Sequence, residues 1–173
     1  EKGLIGSKYH SSLIIAADVI QVDGSYGTIQ PMVKGLTELY QIIGTSTSDG
    51  SARDVLTEMW NGPEYYAKLA KEPCSGLSIA LMFSLLLGAH SVHSGNIVAL
   101  PSTNSPNRQY ARLDWDDAFR YFAHTDNNKA ILYAYECQGW TYKRLTKNYF
   151  LNYQSISGLF PNMAEKAEKL KKD

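Results

Sequence analysis

Two short apolar runs separated by a polar loop constrain the fold of this chain more than any other feature. The runs are Ile97–Leu100 and 110–113, and the segment between them, 101–109, is rich in proline, serine and asparagine. Short apolar runs bounded by turn-forming residues are typical of strands, so the pattern predicts an antiparallel hairpin. The start of one strand then lies beside the end of the other, which makes Asn96 and Asp114 neighbours.

These two neighbours carry the oxygen atoms that a hard divalent cation prefers. An oxygen from Asn96 and one from Asp114, together with phosphate oxygens, are the usual ligands of Mg²⁺ in phosphoryl-transfer sites. The preceding His93 adds an imidazole to the same end of the hairpin. The sequence therefore predicts a site for Mg²⁺ and phosphate at this end of the ribbon.

Apolar spacing elsewhere in the chain predicts helices more often than strands. The most apolar helix is expected to be capped by Ser75 and to end at Gly88. Further helices are expected where apolar residues recur with helical spacing between capping or breaking residues. Together the predicted helices cover residues 32–43, 51–60, 62–71, 75–87, 116–122, 127–137, 141–153 and 160–172.

The length of 173 residues suits one domain with a continuous core. We expect an α+β fold that is mostly α-helical, with a small β-hairpin carrying the site. It divides into an N-terminal helical or irregular part (1–74), a central helix with the hairpin (75–122), and C-terminal helices (123–173).

The net charge and the cysteines indicate which class of partner and which compartment to expect. Seventeen basic and seventeen acidic side chains give a net charge of zero, so no basic field favours nucleic acid. The two cysteines, Cys74 and Cys137, lack metal-binding spacing and indicate a reducing, intracellular compartment, although a bridge between them stays open. No signal peptide or bilayer-spanning run is apparent. The start at Glu1 suggests a piece of a longer protein.

A polar loop and an Asp-Trp-Asp motif flank the predicted hairpin. The loop reads Gly-Ala-His-Ser-Val-His-Ser-Gly-Asn-Ile over residues 88–97, and the second motif is Asp114-Trp115-Asp116. This order resembles the C-terminal lobe of phosphoinositide 3- and 4-kinases, whose loop reads D-R-H-N-x-N-I and whose metal motif is D-F-G. The divergent domains of secreted bacterial effectors, with G-x-x-D-x-H-x-G-N, are more similar still. The resemblance is strongest over 77–122 and includes no lysine-bearing N-terminal lobe.

The resemblance implies Mg²⁺-dependent transfer of the ATP γ-phosphoryl group to an inositol lipid or a similar hydroxyl. Asn96 and Asp114 would bind Mg²⁺ and, with Asp116, the nucleotide, while His93 would serve as general base or charge stabiliser. The likeness also implies a secreted effector that acts in a host cell, peripheral to a membrane. Ser91 stands where the family has aspartate, and a hydroxyl is a far weaker proton acceptor than a carboxylate. Either His93 would carry the proton transfer, or His90 would help, or the domain would be catalytically weak. His93 and Ser91 are the catalytic candidates.

An inactive domain of kinase origin is the alternative that Ser91 leaves open. Such a domain would bind a phosphoinositide headgroup or a protein partner. Each site residue also has a structural interpretation, because Gly-Asn is a common turn pair and aspartates often cap helices. A third interpretation combines His90 and His93 with Asp114 as a transition-metal site.

A basic and aromatic segment near the C-terminus provides a candidate headgroup contact. Lys143, Arg144 and Lys147 carry the charge, and Trp140 would lie at a membrane interface. An amphipathic helix with a solvated basic face explains the same pattern. Both interpretations stay open on the sequence.

Overall fold

The computed structural model describes residues 18–44, 63–71, 74–101, 108–115, 118–119, 136–138, 145–147 and 149–171. Its strands are β1 (Asp18–Val22), β2 (Ser25–Ile29), β3 (Thr37–Glu38), β4 (Cys74–Ser75), β5 (Ile97–Leu100), β6 (Arg108–Arg112), β7 (Glu136–Gln138) and β8 (Leu145–Lys147). Its α-helices are α1 (Leu39–Ile43), α2 (Leu77–Leu86) and α3 (Leu159–Leu170), and its 3-10 helices are Ala67–Lys71 and Tyr149–Ser155. Residues 63–66 are also α-helical and lead directly into the first 3-10 helix, so the described part of the helix predicted over 62–71 is helical. The fold is therefore α+β, as expected. Across these residues no helix is long and apolar enough to cross a membrane.

The predicted hairpin forms the middle of a four-stranded sheet with the order β3-β5-β6-β4. β5 and β6 run antiparallel, with Ile97 opposite Arg112 and Leu100 opposite Gln109. β3 extends the sheet antiparallel to β5, and β4 extends it parallel to β6. The hairpin prediction is confirmed, although its second strand is Arg108–Arg112 rather than 110–113.

Helix α2 packs against α3 and β6 and supplies much of the core. Leu81 is fully buried, and removing such a side chain from water contributes about 1.5–3 kcal/mol. Ser75, the predicted cap, instead pairs in β4, and Gly76 in the left-handed conformation precedes the helix. The predicted end is confirmed, because the helix stops just before Gly88.

The helix predicted over 32–43 is shorter than its apolar spacing indicates. Only Leu39–Ile43 is helical, and Gly44 ends it in the left-handed conformation, as expected. A turn at Gly35, with φ of 76°, interrupts the pattern, and Thr37–Glu38 pairs with β5. Pairing with the sheet therefore replaced the first half of the helix.

In the C-terminal part, strands form where two helices were predicted, and a third predicted helix is confirmed. β7 and β8 pair antiparallel where helices 127–137 and 141–153 were expected, and a 3-10 helix, Tyr149–Ser155, follows them. Backbone pairing between the two strands overrides the local helical spacing here. The helix predicted over 160–172 is confirmed as α3, with an exposed ion pair of 2.7 Å between Lys169 and Glu165. The helices predicted at 51–60 and 116–122 lie outside the described residues, apart from a turn at 118–119.

Candidate functional site

The loop between α2 and β5 meets the end of β6 through the hairpin register. One position beyond the last strand pair, Leu113 N donates to Asn96 O at 2.9 Å. Asn96 therefore lies beside the residue that directly precedes Asp114. The structure thus brings together the two chain segments in which the sequence predicts a cation site.

Asn96 is held in one orientation by the loop that precedes it. Its side chain is only 7% exposed, and Nδ2 donates to Ser91 O at 3.0 Å and to Ser91 Oγ at 3.1 Å. Its backbone N donates to His93 O at 3.0 Å. Both side-chain bonds to Ser91 use Nδ2 rather than Oδ1. The amide therefore presents an acceptor oxygen, which is the atom that a cation would require.

His93 is a neutral imidazole with one nitrogen already engaged. Nδ1 accepts a hydrogen bond from Gly95 N at 3.1 Å, and the half-buried ring packs edge-on against Tyr149 with centroids 5.5 Å apart. Burial, with the nearby Arg112 charge, lowers the pKa of His93 from 6.5 to about 4. The neutral ring therefore carries its proton on Nε2, which makes that nitrogen a donor. This geometry favours a charge stabiliser over a general base.

Aromatic residues of the 3-10 helix Tyr149–Ser155 contact the loop between α2 and β5. Tyr153 Oη donates to Val92 O at 2.7 Å, and His90 packs against Phe150 with centroids 6.3 Å apart. Tyr149 contacts His93, as described above. Sequence reasoning missed this support, although aromatic residues four apart in a predicted helix hinted at a shared face.

Arg112 is a second feature that sequence reasoning missed. It lies at the end of β6 and is 1% exposed. Its guanidinium donates to the carbonyls of Ala89, Leu113 and Asp114, and it lies over the Trp115 ring at 4.8 Å. A charged residue inside an otherwise apolar run was the available signal, and only the fold shows which carbonyls it reaches.

Asp114 is exposed and has a left-handed backbone, with φ of 60°. Aspartate adopts this conformation more easily than most residues do. Carboxylate and amide oxygens are ligand types that Mg²⁺ prefers, and the cation site at Asp114 and Asn96 stays a prediction. No group of three or more His, Cys, Asp or Glu side chains suited to a metal occurs among the described residues. His90, His93 and Asp114 therefore do not assemble the transition-metal site.

The remaining predicted residues are not described in comparable detail. Asp116, Trp140, Lys143 and Arg144 lie outside the described residues. Lys147 ends β8 and pairs in register with Glu136, so it lies in a strand rather than in the predicted helix. Their roles in nucleotide or headgroup binding stay predictions.

Comparison with known proteins identifies one family. The family model described as the LepB N-terminal domain matches residues 26–173. Among solved structures, the N-terminal 618-residue fragment of LepB from Legionella pneumophila is similar, with 42% sequence identity over 99% of this chain and a TM-score of 0.49. The chain covers 25% of that fragment's chain. Comparison with curated proteins gives no match.

These matches correct the family suggested by the loop and the Asp-Trp-Asp motif. The family model that matches is the LepB N-terminal domain, and neither match indicates a phosphoinositide 3- or 4-kinase-like domain. The assignment by resemblance is therefore wrong. Short motifs of histidine, asparagine and aspartate at hairpin ends do not define a family, because unrelated folds can carry the same few polar residues.

Proposed function

The chain belongs to the LepB N-terminal domain family, and for this member we propose a Mg²⁺-dependent phosphotransferase that moves the γ-phosphoryl group of ATP to an inositol lipid or a similar hydroxyl. The observation that carries the proposal is the pairing of Asn96 with Leu113, which brings an oriented amide oxygen beside the Asp114 segment. Two hard oxygen donors at the end of a rigid hairpin are what a Mg²⁺–phosphate site requires.

Each residue of the site has a distinct part in this proposal. Asn96 and Asp114 would hold Mg²⁺, which when bound neutralises charge on the phosphates. His93 would use Nε2–H to stabilise negative charge on a bound phosphate, because Nδ1 already accepts the bond from Gly95 N. Ser91 accepts from the Asn96 amide and so fixes the amide's orientation. Phosphoryl transfer depends mainly on positioning and charge stabilisation, so a missing carboxylate base lowers the rate without abolishing the chemistry.

A binding module without catalysis is the second candidate, and Ser91 favours it. This hydroxyl stands in the loop where a base would be expected, and it is already an acceptor for Asn96. Such a module would hold a phosphoinositide headgroup or a protein partner at the same end of the hairpin. Nucleic acid is not proposed as a partner, because the net charge of the chain is zero.

We also propose that the domain is part of a secreted bacterial effector that acts at membranes inside a host cell. The family match and the similarity to LepB from Legionella pneumophila support this placement. A lipid substrate requires contact with a membrane surface, and the basic segment that ends at Lys147 is the candidate contact.

Thermal-shift and calorimetric titrations test the proposal. Mg·ATP at about 100 times its dissociation constant is expected to stabilise the protein by about 2.7 kcal/mol. Asp114→Asn should remove this response, because it keeps the side-chain shape and the left-handed backbone but loses the charge. Asp23→Asn is the matched control, since Asp23 is also exposed and has φ of 49°.

The outcome of these titrations separates the two candidates. Stabilisation by Mg·ATP that Asp114→Asn removes supports the phosphotransferase. A response only to soluble inositol phosphates would support the binding module. Unchanged nucleotide affinity in Asp114→Asn would contradict the assigned cation site.

A further inference from the structure

Arg112 has the largest fully buried side chain in the described part of the chain. Burying a guanidinium has a cost of several kcal/mol unless good hydrogen bonds compensate it. Arg112 lies at the end of β6, two residues before Asp114. The role of this buried guanidinium follows from the groups to which it donates hydrogen bonds.

The guanidinium connects two chain segments that are distant in sequence. Nη1 donates to Ala89 O, at the start of the loop that leads to Asn96. Nε donates to Leu113 O at 3.3 Å, and Nη2 donates to Asp114 O at 3.2 Å. The planar fork has a fixed geometry, so it sets the distance between these carbonyls in a way that a flexible ammonium cannot.

The same side chain fixes the backbone around Asp114. The carbonyl of Asp114 is held by Nη2 while the residue has a left-handed backbone, a conformation that L-residues adopt less readily than the right-handed one. On the other side, Trp115 stacks on the guanidinium, and its Nε1 donates to Arg112 O at 3.3 Å. The position from which the Asp114 carboxylate projects is thereby restrained from both directions.

We propose that Arg112 is the positioning residue of the site, and that its guanidinium fork aligns the loop ending at Asn96 with the Asp114 segment. The function of this alignment, in holding a divalent cation, rests on the proposed phosphotransferase. In this proposal Arg112 acts through the carbonyls of Ala89, Leu113 and Asp114. Outer residues that orient metal ligands typically change metal affinity by about 10–100-fold when they are replaced.

Arg112→Lys is the decisive variant, because it keeps the charge and most of the stem but loses the fork. The matched control is Arg108→Lys, an exposed position on the same strand. Binding of Mn²⁺ alone, followed by electron paramagnetic resonance, should weaken by about ten-fold or more in Arg112→Lys and stay unchanged in the control. Arg112→Met, which removes charge and fork together, should weaken binding at least as much.

Hydrogen exchange provides a readout that does not depend on metal. The amides of Asn96 and Leu113 bond within the site, to His93 O and Asn96 O, and should exchange faster in Arg112→Lys. The amides of the central pair Val98 and Ala111 should keep their rates. A merely destabilised protein would instead exchange faster across the whole hairpin, because global unfolding exposes every amide.

The two readouts distinguish failure of this inference from failure of the proposed function. Equal Mn²⁺ affinity and equal exchange in Arg112→Lys and the wild type would overturn the role of Arg112. A wild-type protein that binds no Mn²⁺ would overturn the cation site, and the exchange rates would still decide whether Arg112 aligns the two segments. Uniformly faster exchange over the hairpin would also overturn the inference, because it indicates a general structural role.

Discussion

Replacing His93 with asparagine should flatten the dependence of stability on pH. In the folded protein the pKa of His93 is lowered from 6.5 to about 4, first by burial and then by the charge of Arg112. The unfolded chain therefore binds a proton between these pH values that the folded chain does not bind. The contribution of neutral His93 to the free energy of unfolding is fully present above pH 6.5 and is lost as the pH falls toward 4.

The magnitude follows from the gap between the two pKa values. Each unit of pKa difference is worth about 1.4 kcal/mol, so the difference between the unfolded and folded pKa values of His93 corresponds to about 3 kcal/mol of unfolding free energy. Asparagine keeps an acceptor oxygen near the position of Nδ1, so the bond from Gly95 N can persist. The variant thus removes the titration with limited change to the loop.

Urea unfolding at a series of pH values from 7 to 4 measures this difference. The unfolding free energy of the wild type should fall by about 3 kcal/mol more than that of His93→Asn over this range. Carboxylates and other histidines titrate in both proteins and cancel in the comparison. Parallel curves for the two proteins would refute the reasoning. Nitrogen chemical shifts of the imidazole should also show the Nε2–H form at pH 7.

Three further substitutions test the packing around the site, each by urea unfolding at pH 7. Tyr153→Phe leaves the buried Val92 carbonyl without its 2.7 Å bond and should cost about 1–3 kcal/mol; a loss below 0.5 kcal/mol, roughly a surface effect, would contradict that role. Gly95→Ala places a Cβ 3.2 Å from two atoms of the His93 ring, which packs against an aromatic neighbour, and should cost about 1 kcal/mol or more; unchanged stability would show that the ring can move. Asn152→Leu replaces a buried amide that has no hydrogen-bond partner among the described residues and should leave stability unchanged or raise it by about 1 kcal/mol, whereas a loss would show that the amide is satisfied.

The hairpin and its consequences could be predicted from sequence because the relevant signals are local. Apolar runs with turn residues between them define Ile97–Leu100 and its partner strand, and the register then places Asn96 beside the Asp114 segment. The end of α2 before Gly88 follows equally from local backbone preferences. These features depend on few residues that are close in sequence.

Other features depend on partners that sequence patterns do not reveal. Residues 136–138 and 145–147 form strands because they pair with each other, although their spacing suggested helices. Arg112 looks like an ordinary strand residue until the fold brings Ala89 within reach of its guanidinium. Which nitrogen of His93 carries the proton likewise depends on the bond from Gly95 N to Nδ1, which only the folded loop shows.

The family assignment shows a different limit of motif reasoning. The loop around His93 and the Asp114 motif suggested a phosphoinositide kinase, but the chain belongs to the LepB N-terminal domain family. A few polar residues at suitable spacing indicate a chemistry that a site could perform, and unrelated folds can share it. Without that resemblance, the phosphotransferase chemistry stays a proposal drawn from the placement of Asn96 beside the Asp114 segment.

Transfer of label from γ-labelled ATP to phosphoinositide vesicles is the most direct test of the proposed chemistry. With Mg²⁺ present, we expect labelled lipid from the wild type and from Asp23→Asn, and a loss of about 100-fold or more in Asp114→Asn. Omission of the divalent cation should abolish the transfer in every protein. Labelled lipid at equal rates from Asp114→Asn and the wild type, or no labelled lipid from the wild type, would contradict the account.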